Sequence, residues 1–162
     1  MTGFSHKAVI NYSDLTTAGA SQAITLFPDV GYSAGALMHA GWAVTKVAYR
    51  LITGFTGGNL SAMTMTLGDG ASATRYLAAA TSDLFTAPGT TNTKDFVIGG
   101  TSYAYSSADL TNSNSKLVAT LAATGGNVNT ATAGQVEIYF HIADLAALSQ
   151  VVEPTHTASI TE

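Results

Sequence analysis

The stretch Gln135-Val136-Glu137-Ile138-Tyr139-Phe140-His141-Ile142 decides the fold class. Its apolar residues fall on every second position. Val136, Ile138, Phe140 and Ile142 share one face, and Glu137, Tyr139 and His141 share the other. Successive side chains of a strand point to opposite faces, so this alternation predicts a half-buried β-strand. A helix would need the apolar residues three and four apart.

The same device recurs outward along the chain. Met63, Met65 and Leu67 alternate with Thr64 and Thr66 in Ser61–Leu67. In the long run Trp42–Phe55, Val47, Tyr49 and Leu51 oppose Lys46, Ala48 and Arg50. Leu117, Ala119 and Leu121 line one face of Lys116–Ala123. Shorter predicted strands are Lys7–Tyr12, Gln22–Phe27, Arg75–Ala80, Asp95–Ile98 and Ser102–Tyr105, the last two joined by Gly99-Gly100-Thr101 in a hairpin. Turn clusters separate the runs: Gly57-Gly58-Asn59, Gly68-Asp69-Gly70, Pro88-Gly89 and Gly125-Gly126-Asn127. Eight or nine short strands at this spacing predict a single all-β domain over 1–162, a β-sandwich of jelly-roll type. Helix is confined to a turn or so at Asp144–Ser149. The ends, Met1–Ser5 and Glu153–Glu162, lack any pattern and read as extended arms. Phe4 and Ile160 are their apolar anchors and hence the candidate partner contacts.

Composition narrows the function classes. The 162 residues include 24 Thr, 14 Ser, 27 Ala and 16 Gly, with no Cys. Only 10% are charged, against about 25% in an ordinary soluble domain. So apolar and weakly charged a chain is no disordered tail, and it lacks the Glu, Lys and Leu of a long coiled coil. Its six Lys and Arg read as scattered, and net charge is −4, so no nucleic-acid partner is expected. Charge is uneven: residues 1–81 sum to +1 and residues 82–162 to −5. The N-terminus has no signal-peptide pattern. The longest apolar stretch, Ala34–Val44, is broken by His39 and small residues, so neither export nor a membrane partner is expected.

Several short patterns imitate catalytic or binding motifs. Gly31-Tyr32-Ser33-Ala34-Gly35 fits the G-x-S-x-G elbow, in which small flanking residues expose a nucleophilic serine at a strand-to-helix turn. Pro28 interrupts the strand such an elbow requires, and the βα alternation of that fold is missing. Gly68-x-Gly70-x-x-Ala73 fits a relaxed dinucleotide fingerprint, but residues 85–93 read as loop and carry no acid for a ribose. A tight turn explains those glycines better. His6, His39, His141 and His156 are not paired at metal-ligand spacing. His141 stands four residues from Glu137 on one strand face, as a surface histidine would. Asp69, Asp83, Asp95 and Asp109 sit in turns, where carboxylates ordinarily cap backbone N–H groups. Tyr103 and Tyr105 share a strand face and could present rings to a sugar, although packing uses aromatic residues more often. No catalytic residue, metal or cofactor is expected from these patterns.

One further similarity is of order and phrasing. Ala23-Ile24-Thr25-Leu26-Phe27-Pro28, then Leu67-Gly68-Asp69-Gly70 with Ala73-Thr74-Arg75-Tyr76-Leu77, then Tyr103–Leu110, then Ala123–Thr130 followed by Gly134–Phe140, resembles small virion proteins of tailed bacteriophages. The resemblance spans about residues 7–145. It implies a capsid cement or decoration protein without catalysis, bound to the outside of the head and stabilising contacts between capsomers. The implied partners are the major capsid protein and further copies of the chain in a homotrimer at three-fold positions. The implied location is the capsid exterior, after synthesis in the host cytoplasm. A tail, baseplate or head-fibre module, or a carbohydrate-binding module, remains the alternative reading.

Overall fold

The computed structural model describes residues 3–27, 42–70, 72–79, 82–86, 97–98 and 116–144. The alternating stretches form seven strands: β1 (His6–Asn11), β2 (Ser21–Thr25), β3 (Trp42–Thr56), β4 (Ala62–Gly68), β5 (Val97–Ile98), β6 (Val118–Thr124) and β7 (Ala133–Asp144). The described helical residues are two 3-10 turns, Tyr12–Asp14 and Val128–Thr130, and Ala79.

Odd-numbered strands make one sheet in the order β1-β7-β3-β5, and even-numbered strands make the other in the order β2-β6-β4. Every pairing is antiparallel. Successive strands thus alternate between sheets, which is the order of a jelly roll with one of its eight positions reduced to a fragment. That fragment lies on the free edge of β4. Leu77 forms an isolated bridge with Leu67. The Ser82 hydroxyl donates to the Met65 carbonyl at 2.5 Å and accepts from the Met65 N–H at 2.8 Å. Leu84 N–H then donates to Met63, and Phe55 N–H donates to Leu84, both at 2.8 Å. Leu77, Ser82 and Leu84 therefore satisfy part of the edge that a full strand would have paired.

The two sheets share one core. Val136, Ile138 and Phe140 of β7, with Ile10, Val47, Tyr49 and Leu51, meet Met63, Met65, Leu67, Ala119 and Leu121 of the second sheet, and all are buried. The alternation over 135–142, 63–67 and 117–121 was therefore the core pattern it looked like. β3 departs from strict alternation. Its pairing with β7 slips between Val44 and Lys46, between Leu51 and Thr53, and again before Thr56. The first bulge leaves both Thr45 and Lys46 exposed. Gly134 permits a close approach between β7 and β3. Its φ is +145°, and a Cβ there would stand 2.3 Å from the Phe55 ring, so only glycine lets that ring lie against β7.

Two expectations change. Ala48, expected on the solvent side of β3, is fully buried. It sits on an inner strand, between Tyr139 of β7 and Ile98 of β5 in register. Ala80 lies outside the described residues, and over residues 75–79 the expected strand Arg75–Ala80 does not form. Beyond the Leu77 bridge it is a turn, because Asp69 and Arg75 close the loop on itself, as described below. Pro28, Gly31–Gly35, Ser102–Tyr105, the Gly99-Gly100-Thr101 turn and the Leu145–Ser149 part of the expected helical turn lie outside the described residues.

Candidate functional site

The sandwich presents two outer faces of opposite character. On the second sheet the outward positions are Ser21, Ala23 and Thr25, then Val118, Thr120, Ala122 and Thr124, then Ala62, Thr64 and Thr66. None is charged.

The outer face of the first sheet carries charge and rings. Register places Lys7 beside Tyr139 and Ala48, Val9 beside Glu137 and Arg50, and His141 beside Lys46. Lys7, Lys46, Arg50 and Val9 are exposed, whereas Glu137, Tyr139 and His141 are half-buried. Three of the chain's six cations thus share one face with Glu137, the single carboxylate there among the described residues. Along the sequence those cations are scattered. They lie far apart in the chain, and only the β1-β7-β3 order brings them together.

Glu137 is already engaged. It accepts a hydrogen bond from the Tyr139 hydroxyl and forms an ion pair with Lys7 at 3.1 Å. The Tyr139 hydrogen bond foremost, then Lys7 and Arg50, hold its carboxyl below the ordinary value of 4.5. The same bond raises the Tyr139 phenol above its ordinary 10.0. Glu137 does not pair with His141. That imidazole meets the Thr45 hydroxyl instead, with Nδ1 and Oγ1 2.6 Å apart.

Phe4, a candidate partner contact, lies half-buried on this same face. Its ring centroid is 5.8 Å from that of Tyr139, and Lys46 Nζ stands 5.4 Å from it in a cation–π contact. Ser5 continues the β1 edge: its N–H donates to the Phe140 carbonyl at 2.9 Å, and its hydroxyl accepts from Ile142 N–H at 3.0 Å. This part of the N-terminal arm therefore lies along its own β7. Ile160 and the rest of 153–162, with Met1 and Thr2, lie outside the described residues.

The motif imitations resolve into structural roles where they are described. Gly68-Asp69-Gly70 opens a turn, and a Cβ on Gly68 would stand 2.0 Å from the Ser72 carbonyl oxygen. Asp69 accepts from Ser72 N–H at 2.8 Å and from the Tyr76 hydroxyl at 3.4 Å, and pairs with Arg75 Nε at 2.5 Å. The carboxylate locks a loop, and among the described residues no α-helix follows it to offer an N-terminus to a pyrophosphate. Asp83 accepts from the N–H groups of Phe85 and Thr86 at 2.9 and 3.2 Å. A cleft of about 330 Å³ beside it is lined by Ser61, Thr64, Ser82, Asp83 and Phe85 among others. Its serine Ser82 is committed to Met65. Among the described residues, no group of three or more His, Asp or Glu could hold a metal ion, and no helix is long and apolar enough to cross a membrane. His6 meets Ser5 and the edge of Phe27. Ser33, His39, His156, Asp95, Asp109, Tyr103 and Tyr105 lie outside the described residues.

No protein-family model matches this chain, and no curated protein does. Among solved structures, a chain of the Cyanophage Pam1 capsid asymmetric unit is similar at 19% identity and a TM-score of 0.38, over 86% of this chain and 87% of that one. At that score the likeness decides neither fold nor function.

Proposed function

We propose that this protein is a non-enzymatic virion component of a tailed bacteriophage that decorates the outside of the head. It binds across neighbouring capsomers as a homotrimer and stabilises the shell by adding contacts to the assembled state. The observation that carries this reading is the outer face of the first sheet. It offers the exposed Arg50 and Val9 beside the half-buried Tyr139 and Phe4. Aromatic residues and arginine are the side chains that interfaces concentrate. Three groups that could react are tied up in folding: Ser82 with Met65, Asp69 with Arg75, Asp83 with its turn. A surface built for docking and turns built for support fit a structural protein better than a catalyst.

Support also comes from the chain's order of segments, which resembles small phage virion proteins, and from its composition. A Thr, Ser and Ala surface with little charge has weak self-repulsion, which suits a protein whose surface becomes covered. The test is co-sedimentation of the purified protein with undecorated heads. Saturable binding in multiples of three per three-fold site, with heads that survive higher temperature, is the expected result. Binding to tails but not heads, or retention on a polysaccharide column released by free sugar, would move the protein to one of the alternative roles.

A further inference from the structure

We propose that the cleft between β4 and the segment 82–86 binds an organic cation, an ammonium or guanidinium group, carried either by a partner's lysine or arginine side chain or by a free amine. Such a site goes beyond the virion reading and is tested without it.

The cleft exists because the strand beside β4 is only a fragment. Ser82 and Leu84 tie that fragment to Met65 and Met63. The space beside these anchors, about 330 Å³, is lined by Ser61, Thr64, Ser82, Asp83, Phe85 and Thr86 with three further residues. A volume of that order lies at the small end of ligand sites. No Lys, Arg or His lines it, and Asp83 is its one carboxylate. Asp83 is exposed, yet its direction is set. Oδ1 accepts from the N–H groups of Phe85 and Thr86 at 2.9 and 3.2 Å, and Oδ2 accepts from the Thr86 hydroxyl at 2.8 Å. These bonds aim the carboxylate before a ligand arrives, which lowers the ordering cost of binding.

The hydroxyls decide what kind of ligand fits. Each hydroxyl hydrogen on the lining is spent inside the protein. Ser61 donates to the Thr124 carbonyl at 3.3 Å, Thr64 to Ala122 at 3.5 Å, Ser82 to Met65 at 2.5 Å and Thr86 to Asp83 at 2.8 Å. A hydroxyl has one hydrogen and two lone pairs, so what these groups still offer is acceptance. The side chains thus present acceptors around a negative charge. An ammonium or a guanidinium group brings only donors and a positive charge, and leaves no acceptor of its own unmet. The half-buried Phe85 ring adds an aromatic wall, a favourable neighbour for a cation. Phosphate and carboxylate ligands bring acceptors and negative charge, the wrong match on both counts. A sugar hydroxyl both donates and accepts, so these side chains would meet only half of its capacity. A calcium ion takes about six to eight oxygen ligands, commonly several carboxylates among them, and the cleft has one.

The test is an NMR titration of the full chain at constant ionic strength, following backbone amides. Free cations are represented by n-propylammonium and n-propylguanidinium, and side-chain cations by the capped tripeptides Gly-Lys-Gly and Gly-Arg-Gly. Acetate, glucose and calcium chloride are titrated in parallel. Saturable shifts confined to 61–64 and 82–86 are expected with the cations, at a Kd of about 1–10 mM for a single charged group. Asp83→Asn keeps an oxygen for the Phe85 and Thr86 N–H groups but removes the charge, and should weaken binding by about tenfold or more. Thr64→Lys places an ammonium of the chain's own in the cleft and should abolish uptake of the added cation. Melting curves check that both variants are folded. Tighter binding of the tripeptides assigns a partner's side chain, and tighter binding of the free cations assigns a small amine. Absence of localised shifts with every cation would overturn the proposal. So would undiminished binding by folded Asp83→Asn or Thr64→Lys, or stronger binding of acetate, glucose or calcium at the same amides.

Discussion

Replacing Ile138 tests the sandwich at its centre. Its side chain is fully buried on β7, and its register neighbours are Ala8 on β1 and Tyr49 on β3. Ile138→Ala removes three carbon groups, about 2.4 kcal/mol at about 0.8 kcal/mol each. The cavity left behind adds to this, for a total of about 3–4 kcal/mol. A domain of this size loses about 2–4 °C of Tm per kcal/mol, so the melting point should fall by roughly 6–16 °C. Ile138→Asp goes further, because a carboxylate without partners would enter the core at a cost of several kcal/mol. That approaches a whole stability of about 5–15 kcal/mol, so the variant should not accumulate in soluble form. Thr53→Asp is the matched control. Thr53 is exposed on β3, and a surface change there should move stability by no more than about 0.5 kcal/mol. The assay is thermal melting followed by circular dichroism, with soluble yield scored beside it. If Ile138→Ala melted with the wild type, or Ile138→Asp were produced normally, the core assignment of β7 would be refuted.

Other predictions concern the loop clamp, the acid response and catalysis. The Asp69–Arg75 pair has side chains only 6% and 17% exposed, so Arg75→Ala should cost about 3–5 kcal/mol, and Asp69→Asn/Arg75→Met should recover much of that loss; equal melting points for wild type and Arg75→Ala would count against the clamp. Burial holds the His6 imidazole below its ordinary 6.5, so the unfolded chain takes up that proton first and stability should begin to fall as pH drops below about 6.5. Glu137, held below 4.5 chiefly by Tyr139, contributes stability that is complete above about 4.5 and lost as pH falls through its folded value. Urea titrations across pH 3–8 should show the upper step vanish in His6→Gln and the lower step shrink in Glu137→Gln; unchanged profiles would argue against both. Purified protein should hydrolyse simple esters no faster than buffer, and an activity lost in Ser33→Ala would reinstate the G-x-S-x-G segment as a nucleophile.

The parts of the fold that local chemistry dictates were legible in the sequence. Period-2 alternation in 135–142, 63–67 and 117–121 needs no partner to be seen, because the inward face of a strand is apolar wherever the strand goes. Pairing order is different. Nothing local says that β7 lies between β1 and β3, and that order alone makes Lys7, Lys46 and Arg50 neighbours. The same gap hid the burial of Ala48, which depends on strands on both sides. Arg75–Ala80 misled for another reason: Tyr76 and Leu77 are apolar enough for a strand, but the side-chain clamp from Asp69 to Arg75 overrides that local preference. Phe4 was legible as an apolar anchor in an otherwise polar arm, whereas its seat on Tyr139 under Lys46 required the sheet.

The central claim, decoration of the head exterior, is tested most directly by cryo-imaging of the native particle at a resolution that traces strands. The account predicts three copies of this sandwich around each three-fold position on the outer surface of the head. The same density found on the tail, inside the shell or nowhere on the particle would contradict it.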